Sequence, residues 1–167
     1  MPAGTWVETG TYLGETTAML AAAGGMVHTI EPAVELHRRA VERFRHNPRV
    51  TVHAGTSEDV LPRLLPSLRG PVTFWLDGHW SGGETFRGNT DCPLVHELAA
   101  IDRHLRNQDR TVLLIDDIRC LDPTVPDFAH YPSLDHVVDR CRVMGFRWWI
   151  EHDILVGVRD NPAHAGI

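Results

Sequence analysis

The chain has 167 residues, 43% of them hydrophobic, and its 16 basic and 22 acidic side chains leave a net charge of −6. That length and apolar content suit a single domain spanning 1–167 with a full-sized core, and leave no room for a second one. The acidic balance disfavours a nucleic-acid backbone as the main partner, since phosphate binding needs concentrated Lys and Arg.

Arg38, Arg39, Arg43 and Arg45 do cluster, but Glu35 and Glu42 are interleaved with them, as on a solvated helix face. Cys92, Cys120 and Cys141 are odd in number, widely spaced and free of any CxxC pair. They indicate neither a disulfide framework nor a zinc ribbon, and fit a reducing compartment. No run approaches a membrane span, and the first residues lack a signal-peptide pattern, so the expectation is a cytoplasmic protein with no membrane partner.

In chain order, Trp6–Glu8 reads as a first strand, followed by a helix over about Gly14–Ala23 that stops at Gly24 and Gly25. Met26–Glu31 is a second strand, with a helix from about Ala33 to Arg45 ending before Asn47-Pro48. Val50–Ala54 and a helix over about Ser57–Leu68 make a third unit. Val72–Asp77 is a fourth strand, and its helix starts near Pro93 and carries Leu94, Leu98, Ile101 and Leu105 at core spacing. Thr111–Asp116 is a fifth, with Ser133 as N-cap of a helix ending at Gly145. Phe146–Glu151, a His152-Asp153 turn and Ile154–Arg159 read as an antiparallel hairpin. Strands alternating with helices imply a parallel sheet.

Carboxylates recur where these apolar runs end: Glu8, Glu31, Asp77, and the pair Asp116 and Asp117. They are poor strand residues, so their recurrence marks the carboxyl edge of the sheet, where α/β proteins bind ligands. Two long irregular stretches, Gly78–Cys92 and Ile118–Tyr131, leave that same edge.

Glu8-Thr9-Gly10-Thr11-Tyr12-Leu13-Gly14 places an acid and two glycines at the first strand-to-helix turn, where glycine lets backbone approach a ligand closely. It is not GxGxxG, which argues against a pyrophosphate cradle. This segment resembles the first motif of class I S-adenosylmethionine-dependent methyltransferases, and the likeness runs from Trp6 to Val158. The resemblance implies a Rossmann-like fold with a mainly parallel seven-stranded sheet, a C-terminal antiparallel hairpin and helices on both faces. It also implies S-adenosyl-L-methionine as cofactor, with Glu8, Gly10, Tyr12 and Gly14 in its site.

Glu31 falls where that fold holds the cofactor's ribose diol. Ala54-Gly55-Thr56-Ser57-Glu58-Asp59 resembles the adenine segment of catechol-type O-methyltransferases, with Ser57 and Glu58 at the matching positions. Ser57 also reads as a plain helix cap. Trp80 matches an aromatic that packs on adenine in those relatives. Trp148 and Trp149 read as sheet core and helix packing.

If the fourth and fifth strands are neighbours, Asp77, Asp116 and Asp117 meet and repel unless a hard cation such as Mg2+ or Mn2+ joins them. Small cation-dependent O-methyltransferases share this layout. Leu-Asp-Gly-His-Trp places His79 two residues past Asp77, as in macrocin-type sugar O-methyltransferases, where such a His is the base. Asp77 is expected to serve the cofactor as well as the metal. Most other histidines read as surface or helix residues. Glu84, Arg87 and Asp91 are available to a substrate's hydroxyls or a charged group.

The expectation is a methyltransferase acting on a hydroxyl of a sugar or polyhydroxylated natural product. Both kinds of relative carry helices ahead of the first strand, whereas here about five residues precede it. Truncation, the two long loops or a partner subunit would account for the missing roof, which makes a homodimer plausible. Three alternatives stand beside this reading. A metal-independent N- or O-methyltransferase would survive chelation, a nicotinamide-dependent oxidoreductase would bind NAD instead, and a non-catalytic S-adenosylmethionine-binding protein would show no turnover.

Overall fold

The structure, a computed structural model, describes residues 4–80, 88, 91–105 and 110–160. Within them the chain alternates as expected: β1 (Thr5–Thr9), α1 (Glu15–Ala23), β2 (Met26–Glu31), α2 (Val34–Phe44), β3 (Val50–Ala54) and α3 (Ser57–Leu64). Then come β4 (Val72–Leu76), α4 (Leu94–His104), β5 (Arg110–Ile115), α5 (Leu134–Val143), β6 (Arg147–Glu151) and β7 (Ile154–Asp160). The strands form one sheet in the order β3-β2-β1-β4-β5-β7-β6. The first five are parallel, and β7 runs antiparallel between β5 and β6. The order reverses between β1 and β4, a switch point where the loops leaving the strands diverge and open a crevice.

Alternation along each strand divides the side chains between two layers. Val7, Phe74, Leu76, Leu113, Ile115 and Leu155 pack with Leu61, Leu98, Ile101, Val137 and Cys141 from α3, α4 and α5. On the opposite face Trp6, Val27, Val50 and Trp75 meet Leu20 and Ala21 of α1. Fully burying a side chain such as Leu98 or Ile101 contributes roughly 1.5–3 kcal/mol, so the larger layer dominates the core.

The α1 face thins toward the β6 edge. Register lines up Trp75, Leu114, Val156 and Trp149 across four strands, and Trp149 is 45% exposed. The two adjacent tryptophans therefore part company. Trp148 packs against the core with the Arg142 guanidinium over its ring, while Trp149, one residue on, faces the other side.

Several local expectations change. Asp77 and Asp116 lie one residue beyond their strands. α3 stops at Leu64 and tightens into a 3-10 turn over Leu65–Ser67 instead of continuing to Leu68. The stretch after β5 holds 3-10 turns at Ile118–Cys120 and Pro126–Phe128. Ser133 caps α5 as expected, its hydroxyl accepting the His136 N–H at 3.2 Å. The three cysteines are buried, and among the described residues no helix is long and apolar enough to cross a membrane.

Candidate active site

The β1–α1 turn is tied to β2 by the Gly10 and Thr11 N–H groups, which both donate to the Ile30 carbonyl, at 3.0 and 3.2 Å. Gly10, Tyr12 and Gly14 all take positive φ, at 83°, 48° and 78°. Contacts inside the protein demand the two glycines. A Cβ on Gly10 would sit 2.3 Å from the Asp77 carbonyl oxygen, and one on Gly14 would sit 2.8 Å from the Phe44 ring. They let the turn close onto the end of β4 and onto α2. Glu8 lies on β1, just ahead of that turn. It is wholly buried beneath α1, where Thr17 donates to it, and burial pushes its carboxyl up to about 7. It braces the turn from below.

Glu31 ends β2 facing that turn. Its Oε2 accepts the Tyr12 N–H at 2.8 Å and its Oε1 accepts the Ala33 N–H at 2.9 Å. The Thr11 N–H also bonds this carboxylate. Burial holds its pKa above the usual carboxylate range despite these bonds. Tyr12 and Leu13, at the crest of the turn, are half exposed.

After β3 the N-cap of α3 is Thr56, whose hydroxyl bonds Asp59, so Ser57 is the first helical residue and not the cap. Ser57 is buried and hydrogen-bonds Glu97, as does Thr9. Glu58 stands partly exposed beside it, 3.3 Å from the Ser57 hydroxyl. Glu97, on α4, is a site residue that sequence reading passed over. It is 1% exposed, its Oε1 has no partner among the described residues, and burial pushes its carboxyl up to about 7. The available signal was a charged residue inside the Leu94, Leu98, Ile101 stripe.

β4 and β5 are neighbours, as the three-carboxylate expectation requires. Asp77 is held by its N–H to the Thr9 carbonyl and hydroxyl, both at 3.2 Å. Burial, then Asp116 and Asp117, push its carboxyl up to about 7, so the acids feel one another. They do not close on one point. His79 stands between them, with Nδ1 3.3 Å from Asp77 Oδ1 and Nε2 3.3 Å from Asp117 Oδ2. The groups that converge among the described residues are His79, Asp117 and Cys120, whose ligand atoms lie within 4.8 Å of one another. Asp116 turns inward to accept the Asp117 N–H at 2.9 Å. Burial lowers the His79 pKa more than Asp117 and Asp116 raise it, leaving a neutral imidazole at neutral pH.

Asp117 caps the 3-10 turn with a left-handed backbone (φ 54°). Its Oδ1 accepts from Arg119 at 2.6 Å, and Arg119 also bonds Asp153 in the hairpin turn. A cavity of about 20 Å³, room for about one water, lies under this cluster between Glu97, His79, Asp116, Asp117, Cys120 and Tyr131.

Trp80 is positioned by its backbone. Its N–H donates to the Asp91 carbonyl at 2.7 Å, and its carbonyl accepts from the Tyr131 hydroxyl at 3.3 Å. Asp91, expected to be open to substrate, is 8% exposed and lies 2.9 Å from His130 Nε2. That pair joins the two long stretches. Glu84 and Arg87 lie outside the described residues.

No family model matches the chain, and no curated protein matches it. Solved structures do. The SAH-bound methyltransferase PaMTH1 of Podospora anserina superposes with a TM-score of 0.62 at 14% identity, over 95% of this chain and 72% of that one. The chain has the class I methyltransferase fold. A geranyl diphosphate methyltransferase in complex with SAM matches at TM-score 0.58 and 14% identity, over 89% of this chain and 60% of that one. Fibrillarin of Methanococcus jannaschii, a pre-rRNA processing protein, matches at 0.57 and 13%, over 95% and 67%. A geranyl diphosphate methyltransferase and a pre-rRNA processing protein share the fold, so the fold alone does not select an acceptor.

Proposed function

We propose that the chain is an S-adenosylmethionine-dependent methyltransferase, and that it is a divalent-cation-dependent O-methyltransferase. The observation that carries the first part is Glu31. It ends β2 opposite a left-handed turn and offers two adjacent acceptor oxygens, as a vicinal ribose diol requires. S-adenosylmethionine would lie along the Gly10–Gly14 turn, with Ser57, Glu58 and Trp80 toward the adenine and Asp77 toward the methionine end. Bound there, it supplies a methyl group on a positively charged sulfur.

Support for the cation is electrostatic. Burial first, then Asp116 and Asp117, push the Asp77 carboxyl up to about 7, and a hard ion relieves the crowding of the acids. Asp77, Asp116 and Asp117 would hold Mg2+ or Mn2+, and the acceptor hydroxyl would share that ion. His79 is neutral, 14% exposed at its side chain, and stands between Asp77 and Asp117; in this reading it would take the acceptor's proton. The net charge of −6 disfavours a nucleic-acid acceptor, and the acceptor proposed is a sugar or polyhydroxylated natural product.

The test is methyl transfer from labelled S-adenosylmethionine to a panel of sugar and polyol acceptors, with and without excess chelator. Turnover should require Mg2+ or Mn2+. His79→Ala should slow a single turnover on the order of 100- to 10,000-fold while leaving cofactor affinity unchanged. Full activity in chelator would move the reading to a metal-independent methyltransferase.

A further inference from the structure

We propose that the carboxyl edge also forms a site for a borderline transition-metal ion, of the Zn2+ or Co2+ class, ligated by His79 Nε2, Asp117 Oδ2 and the Cys120 thiolate. This set shares Asp117 with the three carboxylates and takes up the His79 lone pair, so the two arrangements are alternatives, and this one selects a different ion. Imidazole and thiolate favour zinc-like ions, whereas oxygen donors favour magnesium.

The local fold builds the set. Asp117 caps the Ile118–Cys120 3-10 turn, and at three residues per turn the side chains at i and i+3 lie on one side. That places the carboxylate of Asp117 and the thiol of Cys120 together. His79 comes from the segment after β4, alongside β5. Its Nε2 is 3.3 Å from Asp117 Oδ2. With zinc bonds to nitrogen and oxygen of about 2.0–2.1 Å, two ligand atoms of a tetrahedral ion sit about 3.3–3.4 Å apart, so this edge is already at length. A nitrogen–sulfur or oxygen–sulfur edge is about 3.6 Å by the same geometry, and the three ligand atoms lie within 4.8 Å of one another. Closing the set needs shifts of about 1.2 Å at most.

The surrounding contacts suit a metal. Asp77 Oδ1 is 3.3 Å from His79 Nδ1, where it would take that N–H and turn the Nε2 lone pair toward the ion, as carboxylate–histidine–zinc arrangements do. Arg119 occupies Asp117 Oδ1 and leaves Oδ2 for the ion. The cavity beneath, lined by His79, Asp117 and Cys120, has room for the water that completes an open four-coordinate site. Binding exchanges the thiol proton for the metal, and that proton leaves to solvent.

Cobalt(II) titration of the full chain, without cofactor or acceptor, tests this. One equivalent should give a near-ultraviolet sulfur-to-cobalt charge-transfer band and intense visible bands of a four- or five-coordinate ion, all removed by one equivalent of Zn2+. Cys120→Ser should abolish the charge-transfer band and weaken zinc at least on the order of 100-fold, the upper end for merely outer-shell partners. Cys141→Ser should retain both.

A pale, six-coordinate spectrum without the band in the wild-type protein would overturn the proposal, and needs no variant to fold. So would a band that survives in Cys120→Ser. Neither outcome depends on methyl transfer, so failure here and failure of the proposed activity are separable.

Discussion

At the residue scale, the recurring acids do separate jobs that strand alternation assigns. Glu8 points beneath α1 and is neutral in the folded state up to about pH 7. A buried carboxyl with a raised pKa contributes stability that is complete below its unfolded value and is lost as pH rises through the folded one. Between about pH 4.5 and 7 the wild type should therefore lose up to roughly 3 kcal/mol from this group. Glu8→Gln keeps an acceptor for Thr17 without the charge. Urea unfolding of both proteins from pH 5 to 8 should show the variant gaining on the wild type as pH rises; parallel curves would remove Glu8 from the linkage. Which apolar runs end in acid was legible in the sequence. Which acid faces the crevice was not, because alternation sends Glu8 and Thr9 to opposite layers and only the packed helices decide what covers each. Glu97 was hidden for the related reason that its spacing is that of a core residue.

At the scale of elements, strand and helix positions were legible because breakers and caps sit at their ends: Gly24 closes α1, Ser133 opens α5, and Pro93 precedes α4. The long stretches were less so. Their 3-10 turns lack apolar periodicity, and the Asp91–His130 pair that joins them spans 39 residues. The β1–α1 turn yields a comparison of two glycines. Gly10 and Gly70 have similar left-handed φ, 83° and 76°, but a Cβ at Gly10 meets the Asp77 carbonyl while one at Gly70 meets nothing within 4 Å. Gly70→Ala should cost about 1–2 kcal/mol for the backbone alone. Gly10→Ala should cost roughly 1–3 kcal/mol more for the overlap. Equal losses of unfolding free energy would mean that the turn does not press on β4.

At the scale of the whole molecule, the alternation of strands and helices implied a parallel sheet, and the reversal of strand order between β1 and β4 sets where its crevice opens. What the sequence could not supply is distance. Three carboxylates at neighbouring strand ends read as one cluster, yet an imidazole stands between them. The central claim is that this crevice binds S-adenosylmethionine through Glu31, and calorimetric titration with S-adenosylhomocysteine tests it most directly. The wild-type chain should bind one equivalent. Glu31→Gln, which retains only one carbonyl acceptor, should weaken that binding roughly 10- to 100-fold, as expected for loss of a hydrogen bond to a charged group. A folded wild-type protein that gives no binding, or a Glu31→Gln variant that binds as tightly as wild type, would contradict the account.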